Sequence, residues 1–259
     1  MGRFLIVSRI DKILEYMEIS KEYNVGFEIN DFYEPDILDN DVRLNEIIDR
    51  YLKLGIPENS TMHGAFFDLA IFSKDKKIHD VSCYRMKQCM EIAKKISVKA
   101  VVFHINYNCE LSGDIYNSNF VASTSEFLKE LLEEYPDINI YIENMFAKGP
   151  YIFKRIADVL KDYNNFGVCL DWAHAIVFGK SAPIEEWIEA LGEYIKHIHI
   201  NDNDLENDLH WPVGTGKIDW NEFVKYYDRC FKNCTVLIET NEPDGQVKSL
   251  EYLKKKLDF

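Results

Sequence analysis

Eight short apolar runs punctuate the chain, near residues 3–8, 25–30, 61–65, 99–105, 138–143, 166–171, 195–200 and 235–240. Several are apolar without alternation, as strands buried on both faces are. Between them lie segments whose apolar residues fall three and four apart: 10–23, 44–54, 81–96, 125–135, 152–163, 184–191, 220–231 and 246–257. That spacing predicts helices. Asp80 stands before the third of these, Ser123 and Thr124 before the fourth, and Asp219 before the seventh, each placed to cap a helix N-terminus. Eight strands alternating with eight helices predict an α/β fold, a (β/α)8 TIM barrel, as one domain over residues 1–259. An open doubly wound sheet fits less well. The glycine-rich turn that would follow its first strand is replaced by Ser8-Arg9-Ile10-Asp11, and an open sheet gathers its site at one switch point.

The runs end in an unusual way. Those over 138–143, 166–171 and 235–239 close on Glu143, Asp171 and Glu239, and the seventh carries His199 near its end. Two more reach His63 and His104, and Glu28 ends the second in the same manner. A buried strand gains nothing structurally from a terminal carboxylate. In a closed barrel such ends converge, and convergent carboxylates and imidazoles need a cation among them. Glu143, Asp171, His199 and Glu239 form a hard, oxygen-rich set suited to Mn2+, Co2+, Mg2+ or Zn2+. In His197-Ile198-His199 only one histidine is expected to face the barrel axis. His199 is assigned as the ligand, and His197 as a packed or supporting residue.

Three further patterns surround this set. In Asp171-Trp172-Ala173-His174 the offset puts both functional side chains on one side of the turn leaving the strand. Asp208 and His210 share one side of an extended segment that runs into Gly214-Thr215-Gly216. The two glycines would let backbone approach a ligand. Long connections follow the second, fourth and seventh strands, on the face where such barrels carry function.

Composition narrows the partners. The 259 residues carry a formal charge of −14 and are 47% hydrophobic. The loops after the strands are acidic and aromatic, as in Asp31-Phe32-Tyr33-Glu34-Pro35-Asp36 and Asn201-Asp202-Asn203-Asp204. Phosphate contacts with DNA come mainly from Arg and Lys, so nucleic acid is not expected as a partner. No signal peptide or membrane-length apolar run is seen, and six scattered cysteines suit a reducing compartment, so a cytoplasmic location is expected. A monomer or a homodimer is expected.

Together, Ile142-Glu143-Asn144, Leu170-Asp171-Trp172-Ala173-His174, His199-Ile200-Asn201-Asp202 and the stretch 208–220 resemble the xylose-isomerase-like TIM-barrel superfamily, over nearly the whole chain. That group holds sugar isomerases and epimerases, and also endonuclease IV, which cleaves DNA at abasic sites. In the sugar-acting members, the resemblance implies one divalent metal on Glu143, Asp171, His199 and Glu239. Glu143 and Glu239 would then be the catalytic acid–base pair of a cis-enediolate mechanism, with His174 on substrate. Endonuclease IV implies a larger set around three zinc ions: His63, His104, Glu143, Asp171, His174, His199, Asp208, His210 and Glu239, all of ligand type here.

The acidic rim favours the first chemistry, a metal-dependent isomerase or epimerase acting on a small sugar, sugar phosphate or polyol. One to three metal ions are expected, and His174, Glu28, Gly214 and Gly216 are assigned to substrate. One departure weakens a free-ketose substrate: the arginine that ketose epimerases carry shortly after the equivalent of His199 is missing between Ile200 and Leu209. The other readings are a zinc-dependent endonuclease and a catalytically idle sugar-binding barrel.

Overall fold

In the computed structural model, which describes residues 3–111 and 113–257, eight parallel strands close into a barrel in sequence order. They are β1 (Phe4–Ser8), β2 (Gly26–Ile29), β3 (Thr61–His63), β4 (Ala100–His104), β5 (Asn139–Glu143), β6 (Phe166–Asp171), β7 (Ile195–Ile200) and β8 (Thr235–Ile238). The helices are α1 (Ile13–Tyr23), α2 (Pro35–Leu38), α3 (Asp41–Leu54), α4 (Lys76–Ile96), α5 (Asp114–Glu134), α6 (Tyr151–Leu160), α7 (Trp172–Val177), α8 (Ile184–Leu191), α9 (Trp220–Tyr226) and α10 (Pro243–Lys254). Each predicted strand is present. No helix among the described residues is long and apolar enough to cross a membrane.

The core has two parts, set by strand alternation. Outward-facing residues such as Phe4, Phe27, Val101, Ile140, Ile142, Leu170, Ile198 and Val236 join the helices in one large apolar cluster. The barrel interior holds two small clusters, Ala100, Val102, Tyr141 and Cys169 on one side and Leu5, Val7 and Leu237 on the other. Val102, Tyr141, Cys169 and Leu237 each lie two residues before His104, Glu143, Asp171 and Glu239. Alternation therefore turns those four polar residues inward at the strand ends.

Two predicted helix starts move. Asp75, not Asp80, caps α4 by accepting from the Lys77 amide at 2.9 Å, while Asp80 lies inside the helix and pairs with Lys76. Helix α5 begins at Asp114, eleven residues before the predicted segment, and Thr124 is buried inside it. Polar residues on the first turns of both helices hid the true starts. Asp219 does cap α9, accepting from the Asn221 amide at 2.9 Å. The short helix α7 was not predicted. It starts at once after β6, with Asp171 as its cap.

One buried carboxyl outside the strand ends gives a test of the fold. Asp31 follows β2, accepts from the Ile10 amide at 3.0 Å and receives the Tyr51 hydroxyl. Burial outweighs these bonds and pushes its pKa up to about 6. The folded protein therefore holds a proton that the unfolded chain releases near pH 4. The stability this contributes is complete below pH 4 and lost as pH rises through 6. Asp31→Asn is expected to remove about 2–3 kcal/mol of pH dependence over that window, measured as the wild-type minus variant unfolding free energy in urea at a series of pH values.

Candidate metal centre

Register brings the strand ends together. His104 pairs with Glu143 across β4 and β5, and Asp171 with His199 across β6 and β7. Glu143 sits at the centre. Its Oε2 lies 3.4 Å from His63 Nε2, 3.2 Å from His104 Nε2 and 3.4 Å from His199 Nδ1, and its Oε1 lies 3.0 Å from His174 Nδ1. Glu239 meets the same His199 Nδ1 at 3.4 Å. Asp208 Oδ2 is 3.2 Å from His174 Nε2 and 3.1 Å from His210 Nε2.

Nine side chains thus divide into three complete groups: His63–His104–Glu143, Asp171–His199–Glu239 and His174–Asp208–His210. Within each group one ligand atom per residue lies within 4.8 Å of the others, and Glu143–Asp171–His174 forms a further group that joins them. The residue types suit a divalent cation such as zinc, with nitrogen and oxygen donors.

Local structure fixes how each ring is presented. The His63 Nδ1–H donates to the Gly64 carbonyl at 2.9 Å, and the His210 Nδ1–H to the Glu239 carbonyl at 3.0 Å. A carbonyl only accepts, so in both rings the Nε2 lone pair is left facing the site. Asp171 is held twice: Asn144 accepts from its amide at 2.6 Å and donates to its carbonyl at 3.0 Å. Asp171 Oδ1 in turn accepts from the His174 amide at 2.6 Å. Asn144 stands within the resemblance motif, yet its role was invisible in sequence, because the bond crosses from the β5 end to the β6 end.

Several buried polar atoms here have no aligned hydrogen-bond partner: Glu143 Oε1, Asp171 Oδ2, His174 Nδ1, His199 Nδ1, Asp208 Oδ1 and Glu239 Oε2. Such atoms are costly unless something accepts their lone pairs, and these belong to all three groups. The protonation pattern agrees. Burial opposes charge on Glu143, but His104 and His199 hold its carboxyl well below the usual range. Burial likewise opposes charge on Glu239, and His199 and His210 bring it down to about 2. Asp171 goes the other way: burial raises it, His174 opposes, and Glu239, Glu143 and Asp208 push it higher still. His210 rises to about 10 against burial, through Glu239 and Asp208. A bound cation would replace these protons as the source of positive charge.

Three expectations change. His197 and His199 both point into the barrel, their rings 4.9 Å apart, because residues two apart on a strand share a face. Ile198 is the residue that faces out. Glu28 does not line the mouth. It lies one layer beneath, where its carboxylate meets His199 Nε2 at 3.2 Å and His197 Nε2 at 3.1 Å and accepts from Thr61 at 2.7 Å. Glu28 thus stands behind the His199 ring, whose Nδ1 turns toward Glu143 and Glu239, where carboxylates behind metal-binding histidines stand. Gly214 and Gly216 approach protein, not open space. A Cβ on Gly214 would meet the Tyr252 ring at 2.4 Å, and one on Gly216 would meet the Asp202 carboxylate at 2.3 Å. The turn wraps Asp202 because that buried carboxylate needs donors.

A family model described as xylose isomerase-like TIM barrel matches residues 16–256. The chain belongs to this family. Among similar proteins, MJ1311 of Methanocaldococcus jannaschii is 28% identical over 83% of this chain and 74% of its own. A probable endonuclease 4 of Mycoplasma capricolum is 26% identical over 60% of this chain and 57% of its own. Solved structures share the fold. A Thermus thermophilus protein, TTHB071, from crystals soaked in zinc chloride, is 18% identical with a TM-score of 0.78 over all of both chains. A D-tagatose 3-epimerase-like protein is 24% identical with a TM-score of 0.78, over 99% of this chain and 97% of its own.

Proposed function

We propose that this xylose isomerase-like barrel is a multinuclear metal hydrolase of phosphoesters. One observation carries the reading: the five residues outside the central quartet complete two further metal-type groups, His63–His104 with Glu143 and His174–Asp208–His210. A single-ion sugar enzyme would use His174 among them, on substrate. A named activity among the sequence relatives also agrees, since the Mycoplasma protein is a probable endonuclease.

Divalent ions bound there would supply Lewis acidity and a water of lowered pKa for attack on phosphorus. The chain's own part is positional. Glu143 spans two groups through its two oxygens, Asn144 fixes Asp171, and Glu28 stands behind His199. Asp208 and His210 ride on the loop after β7 and close the third group against His174.

The second reading is an isomerase or epimerase using the central quartet alone, and the mouth favours it. The loops around the site are acidic, and Phe67, Phe146 and Trp211 are 51%, 50% and 41% exposed. Glu143 and Glu239 both lie 3.4 Å from His199 Nδ1, so the two carboxylates of an acid–base pair share one centre. Elemental analysis of the purified protein, followed by assays with Zn2+, Mn2+ and Co2+, separates the two. Three ions per chain and hydrolysis of an activated phosphodiester are expected. One ion at saturation, with deuterium entering a turned-over sugar from solvent, would establish the isomerase instead.

A further inference from the structure

The nine candidate ligands are flanked at both ends by a pair of phenylalanines built in the same way. Beside His63 and His104 lies Phe66, its ring 5.2 and 4.8 Å from theirs, with Phe67 4.3 Å beyond it and half exposed. Tyr33 stacks on Phe66 at 5.0 Å. Beside His174 lies Phe178 at 5.3 Å, with Phe146 5.1 Å beyond it and also half exposed. In each pair the inner ring packs on the metal-type histidines and the outer ring faces solvent.

Both pairs are held in place. Asn106, itself at φ 48°, donates from Nδ2 to the carbonyls of Phe66 at 2.9 Å and Leu69 at 3.0 Å. Phe146 sits at φ 55°, a left-handed conformation that disfavours a bulky side chain. Strain kept at a site mouth to hold an apolar ring in water calls for a ligand. Of the cations nearby, Lys148 pairs with Glu110 at 2.6 Å, and Arg9 lies 4.0 Å from Asp11.

Resting on the hydrolase reading, we propose that the substrate is a short single-stranded phosphodiester, dinucleotide in size, with a planar base on each side of the reacting phosphorus. Phe67 and Phe146 hold the two bases by stacking, which tolerates any base, and ion pairs contribute little. A longer strand would place extra phosphates against the acidic rim. In the reaction, water oxygen forms a bond to phosphorus as one ester P–O bond breaks. The departing oxygen takes a proton, leaving a phosphomonoester and an alcohol.

The test uses the metal-loaded full chain on two esters: thymidine 5′-(4-nitrophenyl) phosphate, with a ring on each side, and methyl 4-nitrophenyl phosphate, with one. The two-ringed ester is expected to have a kcat/KM about tenfold to a hundredfold higher, the range one stacked base supports. Phe67→Ala and Phe146→Ala should raise KM for the two-ringed ester or for dithymidine phosphate about tenfold, with kcat unchanged. KM should change less than about twofold between 50 and 200 mM salt, where six phosphate contacts would cost about a thousandfold. Equal kcat/KM for the two esters, a steep salt dependence, or preference for duplex DNA would overturn the inference and leave the hydrolase standing. Hydrolysis of neither ester would overturn both.

Discussion

Glu143→Gln is expected to lower phosphodiester turnover by about a thousandfold or more and to remove more than one metal ion per chain. The rate figure follows from losing several kcal/mol of Lewis-acid stabilisation. The stoichiometry follows from geometry: Glu143 belongs to the group with His63 and His104 and also to the group with Asp171 and His174. Glutamine keeps the shape but carries no charge, and its NH2 would turn a donor toward a cation or an imidazole. Glu239→Gln serves as the contrast, because Glu239 belongs to the Asp171–His199 group alone. Elemental analysis beside kinetics decides the matter. Full metal content in Glu143→Gln would refute the shared role.

Asp202→Ala is expected to destabilise the fold by about 3–5 kcal/mol, a large part of a domain's total. Asp202 is fully buried and accepts from the amides of Asn203 at 2.9 Å, Gly214 at 2.9 Å and Ile218 at 3.2 Å, and from Trp220 Nε1 at 2.8 Å. Its backbone also pairs with Trp211 in both directions. Alanine would strand those donors, and each unsatisfied buried donor costs about 1–3 kcal/mol. The same loop carries Asp208 and His210. In urea titrations the midpoint should fall, and under native conditions the His174–Asp208–His210 group should lose its ion before the others. A midpoint unchanged from wild type would show that Asp202 does not hold the loop.

These two residues were not equally visible in the sequence. Glu143 declared itself, because a carboxylate ending an apolar run has no use in a buried strand. Asp202 ends the His199–Asp202 stretch that carries the resemblance, but it also opens an acidic loop, and nothing in the sequence marked it as buried where Asp204 is not. Only the return of the chain at Gly214, Ile218 and Trp220 makes it a hub. The two glycines were read as making room for a ligand for the same reason. Sequence shows that backbone must come close to something there, and the structure shows that the something is Asp202 and Tyr252.

By itself the sequence determined the barrel. Strand and helix periods are local properties of the chain, and eight of each leave few ways to bury every apolar face. It also determined which residue types stand at the strand ends, since alternation assigns their faces once the strands are known. Tertiary structure decided the rest. Which ends meet depends on register between strands, and register joins Glu143 to His104 and Asp171 to His199. It placed Glu28 beneath the site instead of in it, and His197 beside it. It also gathered the peripheral histidines and Asp208 into complete groups, which moved the favoured chemistry from a sugar to a phosphoester. The physical reason is range. A hydrophobic period is written within a few residues, whereas a metal-type group is closed by side chains from strands far apart in the chain.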